Sequence, residues 1–381
     1  MNIAINALSA SSYGGLHYLT HLLEHMLDID SNNQYFIFVN KHNKRAFEND
    51  RSNCRLILVK SAGNNILLRS IWEQFILPFI LKKHKITTLY MPNGMDVFFS
   101  SAKSVICIQN MEVFLYRKYS SSLKLKIRLF ILNFITSISL RTSDKVIAVS
   151  GFVKDFLVEH LKIPESKITC IYHGRGEEFI NTKHRDASVD ILRRFEINDD
   201  YIFSASKMVA YSNIHSLIKA FSIFVSKHKS DIILIIAGGL WDRCYYKKIC
   251  TLIKTEGLEK RVRFLGYVTH SDMPDLFWNS RIFVFPSMLE ACPVTLIEAM
   301  SAGSAVITSN VDPMPEICAD AALYFDPDDV QELAEKISSL NENEALRKAM
   351  GEQAKKRSEY FSWNISAVKT KEVFEGVSKD V

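Results

Sequence analysis

The sequence has few of the features that mark disulfide-stabilised, zinc-binding or membrane-spanning proteins. Its seven cysteines are odd in number and scattered, without any C-x-x-C pair, so we expect neither a disulfide framework nor a zinc site. No apolar run reaches the roughly 18 residues that a helix needs to cross a bilayer. The N-terminus also lacks the basic region and cleavage site of a signal peptide. These absences favour a cytosolic protein.

Acidic residues are scarce in the first half of the chain. Residues 1–180 hold 22 Lys and Arg against 14 Asp and Glu, a balance of +8, whereas residues 181–381 hold 25 against 28, a balance of −3. We therefore expect the basic half to be the one that meets an anionic surface.

The depletion is strongest between Glu112 and Asp144, where no acidic residue occurs. Basic and apolar side chains are mixed over 117–141: Arg117, Lys118, Lys124, Lys126, Arg128 and Arg141 surround Leu123, Leu125, Ile127, Leu129, Phe130, Ile131, Leu132, Phe134 and Ile135. In one interpretation this is a basic amphipathic helix that lies on an anionic membrane. In the other it is a core helix whose basic residues form the solvated face.

Short apolar runs alternate with longer helical patterns along the whole chain. This alternation predicts an α/β fold with parallel sheets built from βαβ units. Candidate strands lie near 2–8, 34–39, 55–60, 87–91, 104–109, 145–149, 167–172, 201–206, 231–237, 261–265, 281–285, 305–309 and 321–325. Ligands in such folds bind beyond the carboxyl ends of the strands.

Two such sheets in succession predict two doubly wound, Rossmann-like domains that face each other across a cleft. We expect the first domain to cover 1–178 and the second to cover 179–361, because a polar run over 181–190 interrupts the pattern. Residues 362–381 carry one more helical pattern, which we predict to pack back on the first domain.

Two glutamates form the most informative local pattern. Glu290 follows the candidate strand 281–285, and Glu298 lies in the first turns of a helix that begins near Pro293. Both acids should therefore face one region, where the helix N-terminus offers a seat for a phosphate. This combination suits a nucleotide sugar. The alternative is two ordinary surface glutamates, but Glu298 stands among apolar residues, where an unpaired charge is costly.

Several further motifs appear in a consistent order. They are Gly14-Gly15, Tyr172-His173-Gly174, Tyr211-Ser212-Asn213-Ile214, Leu217-Ile218-Lys219-Ala220-Phe221, Ala237-Gly238-Gly239, Phe264-Leu265-Gly266-Tyr267-Val268, Phe285-Pro286-Ser287 and the stretch from Glu290 to Gly303. Together they resemble the retaining glycosyltransferases of family 4 over nearly the whole chain. The resemblance implies the two-domain GT-B fold and a nucleotide-diphosphate sugar, such as a UDP- or GDP-sugar, as the donor.

The resemblance also implies roles for individual residues. Glu298 would bind the ribose hydroxyls, and Glu290 would contact the transferred sugar near the reacting carbon. Gly14 and Gly15, after the first strand, would let the backbone approach the diphosphate or the acceptor, because glycine has no side chain. Their alternative is a simple tight turn. Cys292, Pro293, Val294 and Thr295 would form the donor-binding loop and helix start.

Three positions depart from the family pattern. Lys207 occupies the place of the family's diphosphate-binding Arg, but Ser212 replaces the Lys that usually follows five residues later. Arg243 and Lys247 are candidate replacements, because charge on the departing diphosphate must be stabilised. In Ala291-Cys292-Pro293, the proline supplies no N–H to a sugar hydroxyl.

The third departure lies after the fifth strand, where Gln109 and Asn110 stand near the place of a family histidine. Neither amide can act as a base. A retaining transferase can proceed by front-face attack in which the departing phosphate oxygen takes the acceptor proton, so positioning is the protein's main task. Asn110 would be such a positioning group, or an amide that caps the next loop.

Three other patterns indicate structure rather than chemistry. Asp28-Ile29-Asp30 resembles a metal-binding D-x-D, but it lies away from the expected cleft, so we expect no metal site. Asp326-Pro327-Asp328-Asp329 is typical of a turn and a helix cap. His173 is as well suited to a hinge or packing role as to the cleft.

The sequence therefore favours a metal-independent, retaining glycosyltransferase in bacterial surface polysaccharide assembly such as O-antigen, capsule or lipopolysaccharide synthesis. We expect a nucleotide sugar and a glycan or lipid-linked glycan as partners, no nucleic acid, and a location in the cytoplasm or on the inner face of the plasma membrane. The alternatives are a nucleotide-sugar epimerase of GT-B fold and a non-catalytic relative that binds a partner.

Overall fold

The computed structural model describes residues 1–10, 13–60, 66–119, 123–180 and 188–379. These residues form two compact units. The first consists of Met1–Gly174 with Ser362–Val381, and the second consists of Arg175–Phe361.

Thirteen strands are present among the described residues. They are β1 (Asn2–Asn6), β2 (Gln34–Val39), β3 (Cys54–Leu58), β4 (Thr88–Met91), β5 (Lys103–Ile108), β6 (Lys145–Ala148), β7 (Ile168–Cys170), β8 (Tyr201–Ala205), β9 (Ile233–Ala237), β10 (Val262–Gly266), β11 (Ile282–Phe285), β12 (Val306–Ser309) and β13 (Leu323–Phe325). Each coincides with a predicted strand, although most are shorter.

Fifteen α-helices are present in the same described ranges. They are α1 (Tyr13–Ile29), α2 (Ile66–Phe75), α3 (Leu77–Lys83), α4 (Glu112–Tyr119), α5 (Leu123–Thr142), α6 (Gly151–Glu159), α7 (Ser188–Arg194), α8 (Ile214–His228), α9 (Arg243–Thr255), α10 (Met273–Asn279), α11 (Val294–Ser301), α12 (Met314–Cys318), α13 (Val330–Glu342), α14 (Glu344–Ser358) and α15 (Trp363–Lys379). Within the part of the chain that the structure describes, no helix is both long and apolar enough to span a bilayer.

Each unit contains one fully parallel sheet. The first sheet has the order β3-β2-β1-β4-β5-β6-β7, and the second has the order β10-β9-β8-β11-β12-β13. In both, the chain reverses its direction of winding beside the first strand of the sheet, which is the Rossmann arrangement. The predicted pair of doubly wound, Rossmann-like folds is therefore confirmed.

The central strands are apolar along their whole length because parallel strands are covered on both faces. In the second unit, Phe203 of β8 and Phe283 of β11 both pack edge-to-face against Phe277 of α10, with ring centroids 5.2 and 5.1 Å away. All three side chains are fully buried. This core holds the second sheet rigid beneath the loops that follow its strands.

The first unit ends at Gly174, whereas the sequence predicted a first domain ending at 178. The segment after Gly174 belongs to the second unit because Phe179 is fully buried against Phe277, with 5.9 Å between ring centroids. The backbone N–H of Arg175 also donates to the carbonyl of Phe361, 3.1 Å away.

Helix α15 packs on α1 of the first unit, as predicted for 362–381. The Trp363 ring stacks on His21 with centroids 5.6 Å apart, and the Ser366 hydroxyl donates to the Tyr172 carbonyl at 2.6 Å. Gly174 permits this approach, since a Cβ there would lie 2.1 Å from the Trp363 nitrogen.

Candidate functional site

The loops at the carboxyl edge of the second sheet carry most of the predicted site residues. Lys207 follows β8, Arg243 follows β9, and Glu290 follows β11. Because the strands are parallel, these loops emerge at the same edge. Glu298 lies one strand-to-helix connection further on, in the second turn of α11.

Glu290 is a half-buried carboxylate whose ionisation is opposed by its surroundings. Burial raises its pKa to about 7, while a hydrogen bond from Ser287 and the charge of Lys207 oppose this rise. The Ser287 hydroxyl donates to Glu290 Oε1 at 2.8 Å. The structure therefore brings the predicted pair Lys207 and Glu290 into electrostatic contact, although 83 positions separate them in the sequence.

The exposed Lys207 ammonium lies 5.1 Å above the centre of the Trp241 ring. A cation at this distance from an indole face is attracted by the ring quadrupole. Trp241 was not predicted as a site residue. It nevertheless lies in the loop after β9, where ligands bind beyond the carboxyl ends of parallel strands. Arg243 and Lys247 lie nearby in sequence on α9, both exposed, one helical turn apart.

Ser212, which replaces the second family cation, has a structural contact. Its side chain is buried, at 2% exposure, and its hydroxyl donates to the Lys207 carbonyl at 2.6 Å. The serine thus closes the loop from Lys207 to Ser212 instead of adding a positive charge. Its predicted contact with the donor stays a prediction.

Gly238 explains how two of these loops approach each other. Its φ is +140°, and a Cβ at this position would lie 1.7 Å from the Ser206 carbonyl oxygen. No side chain fits there without moving the loop that leads to Lys207. The glycine is therefore required by close backbone approach as well as by its dihedral angle.

Glu298 is buried at 6% exposure on α11. Burial raises its pKa to about 7, against the charge of His270, which lowers it, and with that of Glu178, which raises it further. Its Oε1 lies 3.7 Å from Nδ1 of His270. The expected burial of this acid among apolar residues is confirmed. Its neighbour is the His270 ring, which carries a positive charge when protonated.

His270 and Glu178 are site residues that the sequence reasoning missed. Nε2 of His270 lies 2.5 Å from Oε1 of Glu178. Burial lowers the pKa of His270, but the contact with Glu178 and the charge of Glu298 outweigh burial and raise it overall. His270 follows β10 at the same edge of the sheet, so the strand-end rule would have identified it, whereas no rule in the sequence points to Glu178, which follows the motif Tyr172-His173-Gly174.

Helix α11 begins at Val294, next to the predicted start near Pro293. Pro293 is the residue before the helix, with φ −76°. The Pro293 carbonyl accepts from the backbone N–H groups of Leu296 and Ile297. Cys292 is buried, while Val294 and Thr295 are half-buried. The helix N-terminus therefore follows directly on the Glu290 loop.

The remaining predicted site residues lie in the first unit. Gly14 and Gly15 fall inside the first turn of α1, not in a turn before it, and a Cβ on Gly14 would meet nothing within 4 Å. The Asn110 amide oxygen accepts from the Glu112 backbone N–H at 2.9 Å. Asn110 thus has the capping contact that the sequence left as an alternative, and its role toward a substrate stays a prediction.

The patterns set aside in the sequence have structural partners. Asp30 accepts hydrogen bonds from the Tyr35 hydroxyl and the Asn33 amide, both at 2.6 Å, and Asp28 pairs with Arg51. Asp329 caps α13 by accepting from the Glu332 N–H at 2.9 Å, as predicted.

His173 is buried in the first unit and packs in parallel with Trp363, with 5.8 Å between ring centroids. Burial lowers its pKa to about 3, so the imidazole is neutral near pH 7. Among the hinge, packing and cleft roles considered for it, the structure shows packing.

Both halves of the chain match sequence families. Residues 14–177 match the family described as glycosyltransferase family 4, and residues 191–357 match the glycosyl transferases group 1. A curated relative is the O-antigen chain mannosyltransferase B of Escherichia coli, which is 26% identical over 235 residues. The match covers 61% of this chain and 60% of that relative.

Solved structures share the fold over the full length. A glycosyltransferase from Rickettsia africae has a TM-score of 0.78 at 20% identity, covering 100% of this chain and 99% of that one. Anabaena HepE, solved in complex with UDP and glucose, has a TM-score of 0.76 at 17% identity, covering 99% and 100% respectively. These similarities identify the GT-B fold.

Proposed function

Since the chain belongs to the glycosyltransferases of group 1 and family 4, we propose that it transfers a sugar from a nucleotide diphosphate to a glycan acceptor. We further propose that the anomeric configuration is retained. The observation that carries the proposal is the carboxyl edge of the second sheet. Lys207 follows β8 there, Glu290 follows β11, and Glu298 lies in the second turn of the next helix, α11.

Each of these side chains suits one part of a nucleotide sugar. Glu298 would accept hydrogen bonds from the ribose hydroxyls, and Glu290 would contact the transferred sugar. The Lys207 charge and the N-terminus of α11 would hold the phosphates, because both stabilise negative charge. Cations already present in the protein serve this purpose, so we expect no requirement for a metal ion.

The chemistry we propose relies on positioning and on charge stabilisation. The departing phosphate oxygen would take the proton of the acceptor hydroxyl as that hydroxyl attacks the same face of the sugar, so no protein base is needed. Lys207 would stabilise charge on the leaving diphosphate. Arg243 and Lys247, exposed on α9, are further candidates for the missing family cation, and Asn110 for contact with the acceptor.

Two similar proteins support a proposal for the donor and the pathway, although the curated relative matches only 61% of this chain. The E. coli relative is an O-antigen chain mannosyltransferase, and HepE binds UDP and glucose. We therefore propose a UDP- or GDP-sugar donor and a role in surface polysaccharide synthesis on the cytoplasmic side of the membrane. An epimerase would change a sugar without any acceptor, so product analysis with and without glycans separates the two activities.

The test begins with a screen of UDP- and GDP-sugars by thermal shift, because a ligand that binds the folded state raises its stability. For the nucleotide sugar that binds, Glu298→Ala should weaken affinity about tenfold or more, since a buried carboxylate that bonds to hydroxyls is lost. Isothermal titration measures this loss. Glu352→Ala, an exposed glutamate on α14, is the matched control.

Unchanged titration heats for Glu298→Ala would refute the ribose assignment. Absence of binding by every nucleotide sugar would refute the transferase proposal itself. Anomeric analysis of the product by NMR tests retention, because an inverted linkage contradicts the front-face reaction.

We also propose that the first unit lies on an anionic membrane, where a lipid-linked glycan would be available as acceptor. The region 117–141 contains α4 and α5, with 120–122 outside the described residues. On α5, Leu129 and Leu140 are buried on one face, whereas five other apolar residues are each more than half exposed: Leu123, Ile127, Phe130, Ile131 and Phe134. This exposed apolar face supports the membrane interpretation over that of a core helix whose outer face is only basic.

A second group of exposed apolar residues lies close to α5. On α2 and α3 it comprises Leu68, Ile71, Phe75, Ile76 and Phe79. The loop carrying the exposed Phe98 and Phe99 joins the two groups, because the Phe98 N–H donates to Gln74 of α2 and the Asp96 N–H donates to Ser139 of α5. Two groups of exposed large apolar side chains in one unit are more than the single scattered ones that are normal on a soluble monomer.

The charge around these exposed side chains supports an anionic membrane as their partner. Residues 66–142 contain only three acidic residues, and two of them, Glu73 and Asp96, are buried. Basic residues at the end of α3 and along α4 and α5 surround the exposed apolar side chains. An apolar surface with a positive rim matches a bilayer rich in anionic lipid.

A further inference from the structure

Three side chains of the second unit place an imidazole between two carboxyl groups. Glu178 Oε1 contacts Nε2 of His270 at 2.5 Å, and Nδ1 of the same ring faces Glu298 Oε1 at 3.7 Å. Each ring nitrogen therefore faces one acid. Burial lowers the pKa of His270, but the contact with Glu178 and the charges of Glu298 and Glu178 raise it overall.

The histidine ring is fixed from other directions as well. Phe179, next to Glu178, packs against it edge-on, with 5.0 Å between centroids and 67° between planes. The turn His270–Asp272 is attached to α7 because Asp272 pairs with Arg194 of that helix. Within the turn, Asp272 also accepts a hydrogen bond from the Thr269 hydroxyl at 2.6 Å. The ring therefore has little freedom to turn away from Glu298.

Glu298 depends on such a neighbour for its orientation. Its side chain is buried on α11, and the flanking residues Ile297 and Ala299 are fully buried and offer no polar side chain. A buried carboxylate without a partner is costly. The charge of His270 favours the ionised form of Glu298, and the ring, 3.7 Å from Oε1, limits where the carboxylate can lie.

We propose that His270, held by Glu178, is a positioning residue that orients the Glu298 carboxylate toward the ribose hydroxyls and thereby selects ribonucleotides over deoxyribonucleotides. This inference rests on the proposed function, since it assumes that a nucleotide occupies the carboxyl edge of the second sheet. It adds two residues, from segments outside the paired-glutamate motif, to the recognition of the donor.

The test compares the binding of UDP and GDP with that of their 2′-deoxy and 3′-deoxy counterparts by isothermal titration. The wild-type protein should prefer the ribonucleotide of the accepted base by about tenfold or more, the range of a hydrogen bond to a charged group. His270→Gln and Glu178→Gln should each reduce this preference to about threefold or less, with little change in the affinity for the deoxynucleotide.

Glu177→Gln is the matched control, because Glu177 is exposed in the same turn as Glu178. It should preserve the wild-type preference. A purely structural role of His270 would weaken ribo- and deoxynucleotides equally and leave their ratio intact, which overturns the inference. Glu178→Gln provides the same readout if His270→Gln does not fold.

The outcomes also separate this inference from the proposed function. If the wild-type protein binds neither UDP nor GDP, both fail together. If it binds one of them with a clear ribose preference that persists in both Gln variants, only the role of His270 and Glu178 is refuted.

Discussion

Glu290 illustrates how a single side chain in this protein combines burial with a charged neighbour. Its pKa is about 7 because desolvation outweighs the hydrogen bond from Ser287 and the charge of Lys207. Near neutral pH it is therefore present in both protonation states. A sugar hydroxyl can donate to the ionised form or accept from the protonated one, so this residue suits either polarity of contact.

The raised pKa of Glu290 predicts a pH-dependent stability difference. Its folded-state pKa, about 7, exceeds the ordinary glutamate value of 4.5, so protonation stabilises the folded state fully below about pH 4.5. That contribution is lost as pH rises through 7. Glu290→Gln does not titrate, so the variant should gain about 2 kcal/mol relative to wild type between pH 4.5 and 8, after allowing for solvent screening.

Urea unfolding across that pH range measures the difference. Glu352→Gln, at an exposed position, should show a nearly constant offset from wild type. A flat difference for Glu290→Gln as well would mean that the carboxylate is as well solvated in the folded protein as in the unfolded chain.

At the scale of elements, the loops after β8 and β9 act as a pair. Gly238 lets its loop approach the Ser206 carbonyl, and the Met208 N–H donates to the Gly239 carbonyl at 3.1 Å. The Trp241 ring, further along the second loop, then reaches Lys207. The position of the lysine thus depends on both connections.

Gly238→Ala should therefore destabilise the protein by about 2 to 4 kcal/mol. Alanine rarely adopts a φ of +140°, and its Cβ would also clash with the Ser206 carbonyl oxygen. Gly257→Ala is the control, since Gly257 has φ +67° but open space around its Cβ direction. It should cost only about 1 kcal/mol. Thermal unfolding distinguishes the two.

Equal costs for both glycine variants would show that the dihedral angle alone matters and that the loops after β8 and β9 can separate. A larger loss for Gly238→Ala would show that close approach of these loops is a property of the folded state.

Elements also show where sequence prediction stops. The strand predicted over 2–8 ends at Asn6, because the Asn6 side chain accepts from the Leu8 N–H at 3.1 Å and donates to the buried Glu73 at 2.8 Å. The run from 167 to 172 gives only Ile168–Cys170 as strand. Periodicity identifies a strand, whereas side-chain contacts from distant segments decide where it ends.

At the scale of the whole molecule, charge and exposed apolar surface are concentrated in the first unit. Lys124 and Arg128 are exposed on α5, and Phe79 of α3 is 74% exposed. Each basic residue near an anionic bilayer contributes about 1 kcal/mol of binding. Lys124→Glu/Arg128→Glu should therefore lower binding to phosphatidylglycerol-rich vesicles by more than tenfold.

Co-sedimentation measures this binding, with Lys355→Glu/Lys356→Glu on α14 of the second unit as the charge-matched control. Phe79→Ser should also weaken binding because it removes apolar area from the bilayer contact. If the wild-type protein ignores vesicles and Phe79→Ser instead converts a dimer to a monomer, the apolar surface is an interface between copies of this chain.

The sequence by itself determined the order of strands and helices and the two doubly wound sheets. It also indicated Glu290 and Glu298 as candidate site residues. These follow from local patterns, because alternation of apolar runs and short loops is encoded in neighbouring residues. The family resemblance, rather than a strand pattern, pointed to Lys207, which the structure places after β8.

Only the tertiary structure decided which side chains share an environment. It brought Glu178 and His270 to Glu298, turned Ser212 toward the Lys207 carbonyl, and left one apolar face of α5 exposed. Distances, burial and pKa values depend on contacts between segments far apart in the chain. A linear pattern contains the residues, but it does not contain their distances in space.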